Sequence, residues 1–179
     1  MMDELRFDLN PVNRITIDAI GPPGKRTFYL QARRGRTLVT LLMEKEQAQA
    51  LATAIERLLD ELAERAPHLN PSLGEVPASQ MRLEEPISPE FRIGQMSLGY
   101  DADRDLIVLV VQELPPVDEP AQPLAVARFW ATRQQMRALS QHAARVVAAG
   151  RPICGHCGEP IDPEGHFCPR RNGHPPPEF

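Results

Sequence analysis

The feature that most restricts what this chain can fold into is a similarity between its two halves. With an offset of 78 residues, segment 14–30 falls on segment 92–108 without a gap. With an offset of 88 residues, Leu51 falls on Leu139. An insertion of ten residues in the proline-rich stretch 114–123 reconciles the two offsets. Similarity at a fixed spacing is typical of repeated structural units, so the sequence predicts an internal duplication.

Each half is predicted to form three strands followed by one helix. Alternating apolar residues and β-branched or aromatic side chains indicate the strands, and apolar residues at helical spacing indicate the helices. Thr132 and Gln135 predict a capping box at the start of the second helix. The predicted strands are 14–20, 27–32 and 37–43 in the first half and 93–98, 106–113 and 124–131 in the second. The predicted helices are 46–62 and the segment that follows Thr132.

These elements predict an α+β fold in which two βββα units form a sheet covered by two helices. The pattern leaves open whether the strands form one sheet or two facing sheets. Strand 106–113 is apolar on both faces and is therefore expected at the centre of a sheet. The predicted boundaries are a duplicated domain at 1–150, with repeats at about 12–66 and 91–149 and an irregular linker at 67–90, followed by a tail at 151–179.

The tail is predicted to bind zinc through three cysteines. Cys154 and Cys157 are separated by two residues and followed by Gly158, the pattern of a zinc knuckle in which a tight turn directs two thiolates at the metal. Cys168 follows within a Phe-Cys-Pro stretch and supplies a third thiolate. Cysteines clustered in this way suit metal binding better than a disulfide framework. The spacing resembles the short zinc-ribbon family, but Arg171 stands where that family has its fourth cysteine.

The fourth zinc ligand is left open by the sequence. Structural zinc takes four protein ligands, and His174, six residues after Cys168, is the first candidate. His166 is the alternative, because residues two apart on an extended strand point to the same side. Asp162 or a water molecule is a further alternative. We interpret the site as a structural link for a tail too small to have its own core. A catalytic zinc with Glu164 or Asp162 as base, and a ribbon that has lost its metal, are the other interpretations.

The overall charge and hydropathy argue against several functions. A formal net charge of −4 at pH 7 does not give the basic footprint of a nucleic-acid-binding protein. The N-terminus lacks the basic and apolar segments of a secretory signal. The longest apolar run, 106–111, is far shorter than the roughly 20 residues that span a bilayer. We therefore expect a cytoplasmic protein that does not insert into a membrane.

Three segments resemble an uncharacterised bacterial family. They are Gly-Lys-Arg-Thr-Phe-Tyr-Leu-Gln-Ala at 24–32, Gly-Gln-Met-Ser-Leu-Gly-Tyr at 94–100, and the tail from Cys154 to Gly173. The family is a domain of unknown function, common in actinobacteria and their relatives and described as a repeat protein. The resemblance covers nearly the whole chain and implies no known activity, cofactor or partner.

The sequence favours a non-catalytic role. It contains no nucleophile elbow, phosphate-binding loop, dinucleotide-binding fingerprint or zincin helix. The leading hypothesis is therefore a binding or adaptor protein that contacts an unidentified protein partner. The exposed proline-rich segments are consistent with such contacts.

Two alternatives stay open. The first is an enzyme or ligand sensor with a site at the junction of the two repeats. The candidate lining residues of that site are Arg26, Arg104, Tyr29 and Asp18. The second is weak binding of single-stranded nucleic acid through the knuckle, with phosphate contacts from Arg170 and Arg171 and base stacking on Phe167. The acidic balance argues against this second alternative.

Overall fold

The computed structural model describes residues 3–66, 76–118 and 122–149, which form seven strands and two α-helices. The strands are β1 (Glu4–Leu9), β2 (Arg14–Ile20), β3 (Thr27–Arg34), β4 (Thr37–Met43), β5 (Pro89–Asp101), β6 (Leu106–Glu113) and β7 (Ala125–Ala131). The helices are α1 (Lys45–Arg65) and α2 (Arg133–Ala149), and a short 3-10 helix spans Ala78–Met81. All six predicted strands and both predicted helices are confirmed, whereas β1 is an addition that the sequence patterns did not predict.

All seven strands belong to one sheet, in the order β1-β7-β6-β5-β4-β3-β2. β2, β3 and β4 form an antiparallel meander, and β5, β6 and β7 form a second one. A parallel pairing of β4 with β5 joins the two meanders, and β1 pairs in parallel with β7 at one edge. The fold is therefore α+β with a single sheet, and β6 lies between two other strands as its two apolar faces predict.

The two edges of the sheet approach each other at the residues between β1 and β2. The Val12 N–H donates to the Trp130 carbonyl of β7 at 2.8 Å, and the neighbouring Asn13 N–H donates to the Arg33 carbonyl of β3 at 2.7 Å. Two consecutive residues thus bond to β7 and to β3, the strands next to the two edge strands β1 and β2. The sheet must curl strongly to allow this, and the bridging residues protect part of both edges from pairing with other chains.

The hydrophobic core lies between the inner face of the sheet and the two helices. The helices pack against each other, and α2 also packs along β2. Burial of this apolar surface is the main favourable contribution to folding. Fully buried core side chains include Ile17, Leu30, Leu41, Ile55, Ile107, Leu109, Phe129, Met136 and Leu139. Neither of the two described helices is apolar enough over a sufficient length to cross a lipid bilayer.

The buried faces of the two helices correspond at the predicted offset of 88 residues. Leu51 of α1 and Leu139 of α2 are both buried, and so are Leu59 and Val147, about two helical turns further along each helix. Because buried positions recur at the same spacing in both helices, each helix presents an equivalent stripe to the sheet.

In the strands, the predicted offset of 78 residues holds for Ile15 and Ile93, which are both buried in the core, but it changes to 79 residues further along the inner face. Leu30 of β3 and Leu109 of β6 are both fully buried in the core and lie 79 residues apart. Residue Val108, at an offset of 78 from Leu30, lies on the opposite face of β6 because side chains alternate along a strand. The pairing of β5 with β6 is irregular between Ile93 and Gln95, and the extra residue there accounts for the difference.

Both helices begin with the same type of cap. The Glu44 N–H donates to Gln47 Oε1 at 2.8 Å at the start of α1. At the start of α2, the Thr132 N–H donates to Gln135 Oε1 at 2.9 Å, and the Gln135 N–H donates to Thr132 Oγ1 at 3.0 Å. The capping box predicted at Thr132 and Gln135 is confirmed.

Each cap glutamine also bonds to the backbone of the opposite half, within β5 for Gln47 and just before β2 for Gln135. Gln47 Nε2 donates to the Ile93 carbonyl at 3.0 Å and to the Gly94 carbonyl at 3.3 Å. Gln135 Nε2 donates to the Val12 carbonyl at 3.3 Å. The two helix starts therefore link the halves in a crossed and similar way.

The described part of the predicted linker lies across the outer face of the first meander. Residues 76–88, called the strap below, contain the 3-10 helix and contact β2. Beneath the strap, the polar side chains of Thr16, Gln31 and Thr40 are at most 2% exposed. Apart from the 3-10 helix the strap has no regular secondary structure, and it lies against the sheet through these contacts. Residues 67–75 of that linker lie outside the described residues.

Candidate functional site

The whole predicted zinc site lies outside the described residues. Its members are Cys154, Cys157, Cys168, His174 and His166. The predicted nucleic-acid contacts Arg170, Arg171 and Phe167 lie outside them as well. Over the three described ranges, no group of three or more His, Cys, Asp or Glu side chains is placed to hold a metal ion. The zinc site thus stays a prediction from cysteine spacing.

Three of the four residues predicted at the repeat junction lie close together. Asp18 of β2 is opposite Tyr29 of β3 in the strand register, and Arg26 precedes β3 in the turn that joins these strands. Arg26 Nη2 donates to the Val147 carbonyl of α2 at 3.4 Å. The β2–β3 hairpin and α2 therefore bring these three polar side chains to one side of the molecule.

His142 of α2 faces Asp18 at this place. The distance from His142 Nε2 to Asp18 Oδ1 is 3.9 Å, and the side chains are 21% and 28% exposed. Burial acts to raise the pKa of Asp18, but His142, the Ala19 N–H and Arg26 outweigh it and hold that pKa below its ordinary value. Among the described residues, His142 Nε2 has no hydrogen-bond partner. His142 and Asp18 thus face each other where α2 packs against β2.

The fourth predicted residue, Arg104, has other contacts on the outer face of the second meander. Its guanidinium lies 4.9 Å from the Trp130 ring centroid, and its Nη1 donates to Asn10 Oδ1 at 2.8 Å. Trp130 Nε1 donates to Asp8 Oδ1 at 2.9 Å, and Arg128 Nη2 donates to the other oxygen of Asp8 at 2.8 Å. Cations beside an aromatic face are stabilised by the ring quadrupole. These contacts link β1 to β7 and form an ordered polar and aromatic patch.

A second cluster joins the end of α1 to the start of α2. Arg133 Nε donates to Asp105 Oδ1 at 2.8 Å, and the Tyr100 hydroxyl donates to the same oxygen at 2.6 Å. The bond to Asp105 is the main cause of the raised pKa of Tyr100. Arg133 also donates to the carbonyls of Leu62, at 3.4 Å, and of Ala66. The Leu62 carbonyl also accepts from the Ala66 N–H, whereas the Ala66 carbonyl follows the end of the helix, where carbonyls lack helical partners. Arg133 therefore caps the end of α1, and the cluster has a structural role.

The strap is held by a carboxylate bound between two arginines. Arg14 Nη1 donates to Glu84 Oε1 at 2.6 Å, and Arg33 donates to Glu84 Oε2 through Nε at 2.8 Å and also through Nη2. The hydrogen bonds from Arg33 are the largest cause of a lowered pKa at Glu84, and Arg14 adds to the effect although burial opposes it. We call Arg14, Arg33 and Glu84 the Glu84 clamp. Sequence reasoning did not identify it.

Neutral side chains beneath the strap complete this arrangement. Gln31 Oε1 accepts from the Glu84 N–H at 2.7 Å, and Gln31 Nε2 donates to the Glu84 carbonyl at 3.0 Å and to Thr40 Oγ1 at 2.9 Å. Thr16 Oγ1 donates to the Met81 carbonyl at 2.7 Å. The strap is thus bound by side chains of the sheet rather than by strand pairing. The available sequence signal was an amide, Gln31, between the apolar residues Leu30 and Ala32 of β3.

These features define a class of α+β protein with one curled sheet, two core helices and a strap across its outer face. The chain belongs to the family described as Protein of unknown function (DUF3090), whose sequence profile matches residues 7–168. The match confirms the resemblance to an uncharacterised domain family, and it covers the strap, both helices and the segment through Cys168. No curated protein and no solved structure matches the chain.

Proposed function

We propose that this chain is a non-catalytic binding protein whose tail holds a structural zinc ion and whose body and tail together contact a protein partner. The observation that carries the zinc proposal is the spacing of Cys154, Cys157 and Cys168, which suits a zinc knuckle. The family match extends to Cys168, so all three cysteines fall within it, whereas His174 lies beyond it.

The use of charged groups in the body supports binding over catalysis. The Glu84 clamp holds the strap, Arg133 joins the two helices, and Asp8 joins β1 to β7. A catalytic acid or base must reach a proton on its substrate, and these carboxylates are already bonded to arginines. Cysteines that are clustered rather than spread as a disulfide framework suit a reducing compartment, and on that ground we place the protein in the cytoplasm.

We further propose that the body, residues 1–150, arose by duplication of a βββα unit, and that residues 151–179 are a separate tail. The support is the shared order of elements in the two halves, the helix stripes 88 residues apart and the crossed bonds of the cap glutamines. The solvent-accessible outer faces of the two units differ, which gives the duplicated body two distinct surfaces for partners.

Metal analysis of the purified full chain tests the zinc proposal. We expect one zinc ion per chain in the wild type and loss of zinc from Cys154→Ser and Cys168→Ser, because structural zinc needs its full ligand set. Loss from only one of His174→Ala and His166→Ala identifies the fourth ligand. His156→Ala, inside the same knuckle, is the matched control and should keep its zinc. A wild type without stoichiometric zinc, prepared without chelators, would contradict the proposal.

Affinity capture with the full chain tests the binding role. The same protein should be retained by the wild type and lost or reduced with Cys154→Ser, because the tail contributes to the contact. Failure of the wild type to retain any specific protein, under conditions in which it carries zinc, would count against an adaptor role while leaving the metal site intact.

A ligand sensor at the repeat junction is the second candidate. It is favoured by the grouping of Asp18, Tyr29 and Arg26 beside a His142 nitrogen that has no hydrogen-bond partner among the described residues. Such a site suits a small polar ligand that bonds to the imidazole. Isothermal titration of wild type and His142→Ala with inorganic phosphate and small dicarboxylates should then give heat with the wild type only. Nucleic-acid binding through the tail stays a prediction on residues outside the described part.

A further inference from the structure

The strap is contacted largely through its backbone. Arg14 Nη2 donates to the carbonyl of Gln80 at 2.7 Å and to that of Arg82. Thr16 Oγ1 donates to the carbonyl between them, that of Met81. Bonds to main-chain carbonyls are available from any extended peptide whatever its side chains, and they are a common source of affinity in peptide recognition.

One position of the strap is recognised by both its backbone and its side chain. Gln31 accepts from the N–H of Glu84 and donates to its carbonyl, so a single amide satisfies both main-chain groups of that residue. The Glu84 carboxylate is bonded by Arg14 and Arg33. A planar guanidinium matches a carboxylate in geometry and charge. The sheet therefore selects for a glutamate at this one position.

The surface beneath the strap is polar, unlike the core. Thr16, Gln31 and Thr40 are buried by the strap and lie on the face of the sheet away from the helices. Such groups can bond to water when they are uncovered, whereas apolar core residues lose stability on exposure. Met81 is the one buried side chain of the strap, at 4% exposed, and it is not part of the main core cluster. The strap can therefore leave without opening the core.

We propose that the outer face of β2 and β3 is a recognition site for an extended peptide carrying a glutamate, and that the chain's own strap occupies it. The partner in this proposal is an acidic segment of another protein, which competes with the strap for Gln31 and the two arginines. This inference rests on the proposed binding role, because it names the chemistry of the partner, but it does not depend on zinc. The Glu84 clamp is then both a structural contact and a specificity-determining one.

The test uses the full chain and a fluorescent peptide with the strap's own sequence, Ala-Ser-Gln-Met-Arg-Leu-Glu-Glu-Pro-Ile, residues 78–87. The double variant Met81→Ser with Glu84→Ala weakens the strap's own hold on the site. A tethered segment competes at an effective concentration of about millimolar or more, so the double variant should bind the peptide at least about tenfold more tightly than the wild type. Fluorescence anisotropy gives both dissociation constants.

Matched controls separate recognition from general loosening. Glu85→Ala removes the neighbouring exposed carboxylate and should bind the peptide as weakly as the wild type. A peptide with Gln in place of Glu84 should bind the double variant at least about tenfold more weakly than the original peptide, because it lacks the charge that the arginines bond. Adding Arg33→Ala to the double variant should reduce the difference between the two peptides, because only Arg14 is then left to bond the carboxylate.

Cooperative thermal unfolding shows which variants are folded, and Glu84→Ala alone supports the same comparison if the double variant is not. Folded variants that bind the peptide no more tightly than the wild type would overturn the proposal, and so would equal binding of the Glu and Gln peptides. If these variants keep their zinc and their captured partner while peptide binding fails, this inference falls and the proposed function stands.

Discussion

The two meanders of the sheet have similar inner faces and different outer faces. On the inner side, Leu30 of the first and Leu109 of the second are both fully buried against the helices. On the outer side, the first meander has buried polar groups under the strap, whereas the second leaves Val110, Arg128 and Trp130 partly exposed. The inner faces share one core, where changes of volume are costly. The outer faces are free of that restriction, and this is where the two halves can acquire separate binding roles.

The largest effects are expected where the two halves are alike. Leu30→Ala and Leu109→Ala should each lower the free energy of unfolding by about 3 kcal/mol, because both leave a cavity in the core. Val110→Ala, on the outer face of β6, is the control and should cost less than about 1 kcal/mol. Urea unfolding measures all three variants. A large cost for one leucine and a small one for the other would break the similarity of the inner faces.

The next effect should separate the two outer faces. Gln31→Leu leaves the main-chain groups of Glu84 and the Thr40 hydroxyl without their partner under the strap. We expect it to lower the free energy of unfolding by about 2 kcal/mol. Gln112→Leu changes the same residue type on the outer face of the second meander and should cost about 0.5 kcal/mol or less. Equal losses in urea unfolding would show that the strap does not distinguish the two faces.

The pH dependence of the Glu84 clamp gives a further test. The pKa of Glu84 is lower in the folded chain than in the unfolded one, so its contribution is present above the unfolded pKa of about 4.3 and is lost as the pH falls through the folded value. Glu84→Gln should therefore be less stable than the wild type by about 1 kcal/mol at neutral pH, with the difference shrinking below about pH 4. Glu85→Gln, with an exposed parent side chain, serves as control. A difference that is constant with pH would contradict this account.

The smallest effect concerns the crossed helix caps. Gln47→Ala and Gln135→Ala should each cost about 1 kcal/mol, since each removes a cap and a bond to the opposite half. Gln49→Ala, at an exposed position of α1, should cost less than about 0.5 kcal/mol. Similar losses for the two cap variants, measured by thermal unfolding, would extend the likeness of the halves to their helix starts. If only one of the two variants is destabilised, the similarity of the halves is limited to the core.

Local patterns predicted most elements of the body. β2, β4 and β6 have the predicted bounds, because alternation and β-branched residues report burial directly. β1 was missed although Glu4–Leu9 alternates charged with apolar residues, which is itself a strand pattern; the segment is short and mostly exposed, and its partner β7 lies far along the chain. The change of offset from 78 to 79 residues along β5 was not predicted either. A single extra residue in a strand changes no local pattern but moves every later side chain to the other face.

Local sequence patterns could not predict the contacts of the strap. Arg14 and Arg33 have the sequence character of ordinary surface residues on strands, and Glu84 lies in a stretch without periodicity. The three meet only because the linker crosses the outer face of β2 and β3, and nothing in the spacing of residues sets that path. Where a site is carried by a short contiguous motif, as for Cys154 and Cys157, the sequence alone supports a hypothesis about its ligand.

The position of β1 determines an order of events during synthesis. Glu4 is opposite Ala125 in the register, so β1 pairs with a strand that is made only after all the other described strands. Contacts between residues so distant in sequence form slowly, since a long loop must close first. β1 therefore has no partner strand in this sheet until β7 has been made. The bond from Val12 to Trp130 depends on β7 in the same way, whereas Asn13 bonds to Arg33 in β3, so we expect closure of the curled sheet at the Val12 side to be a late step of folding.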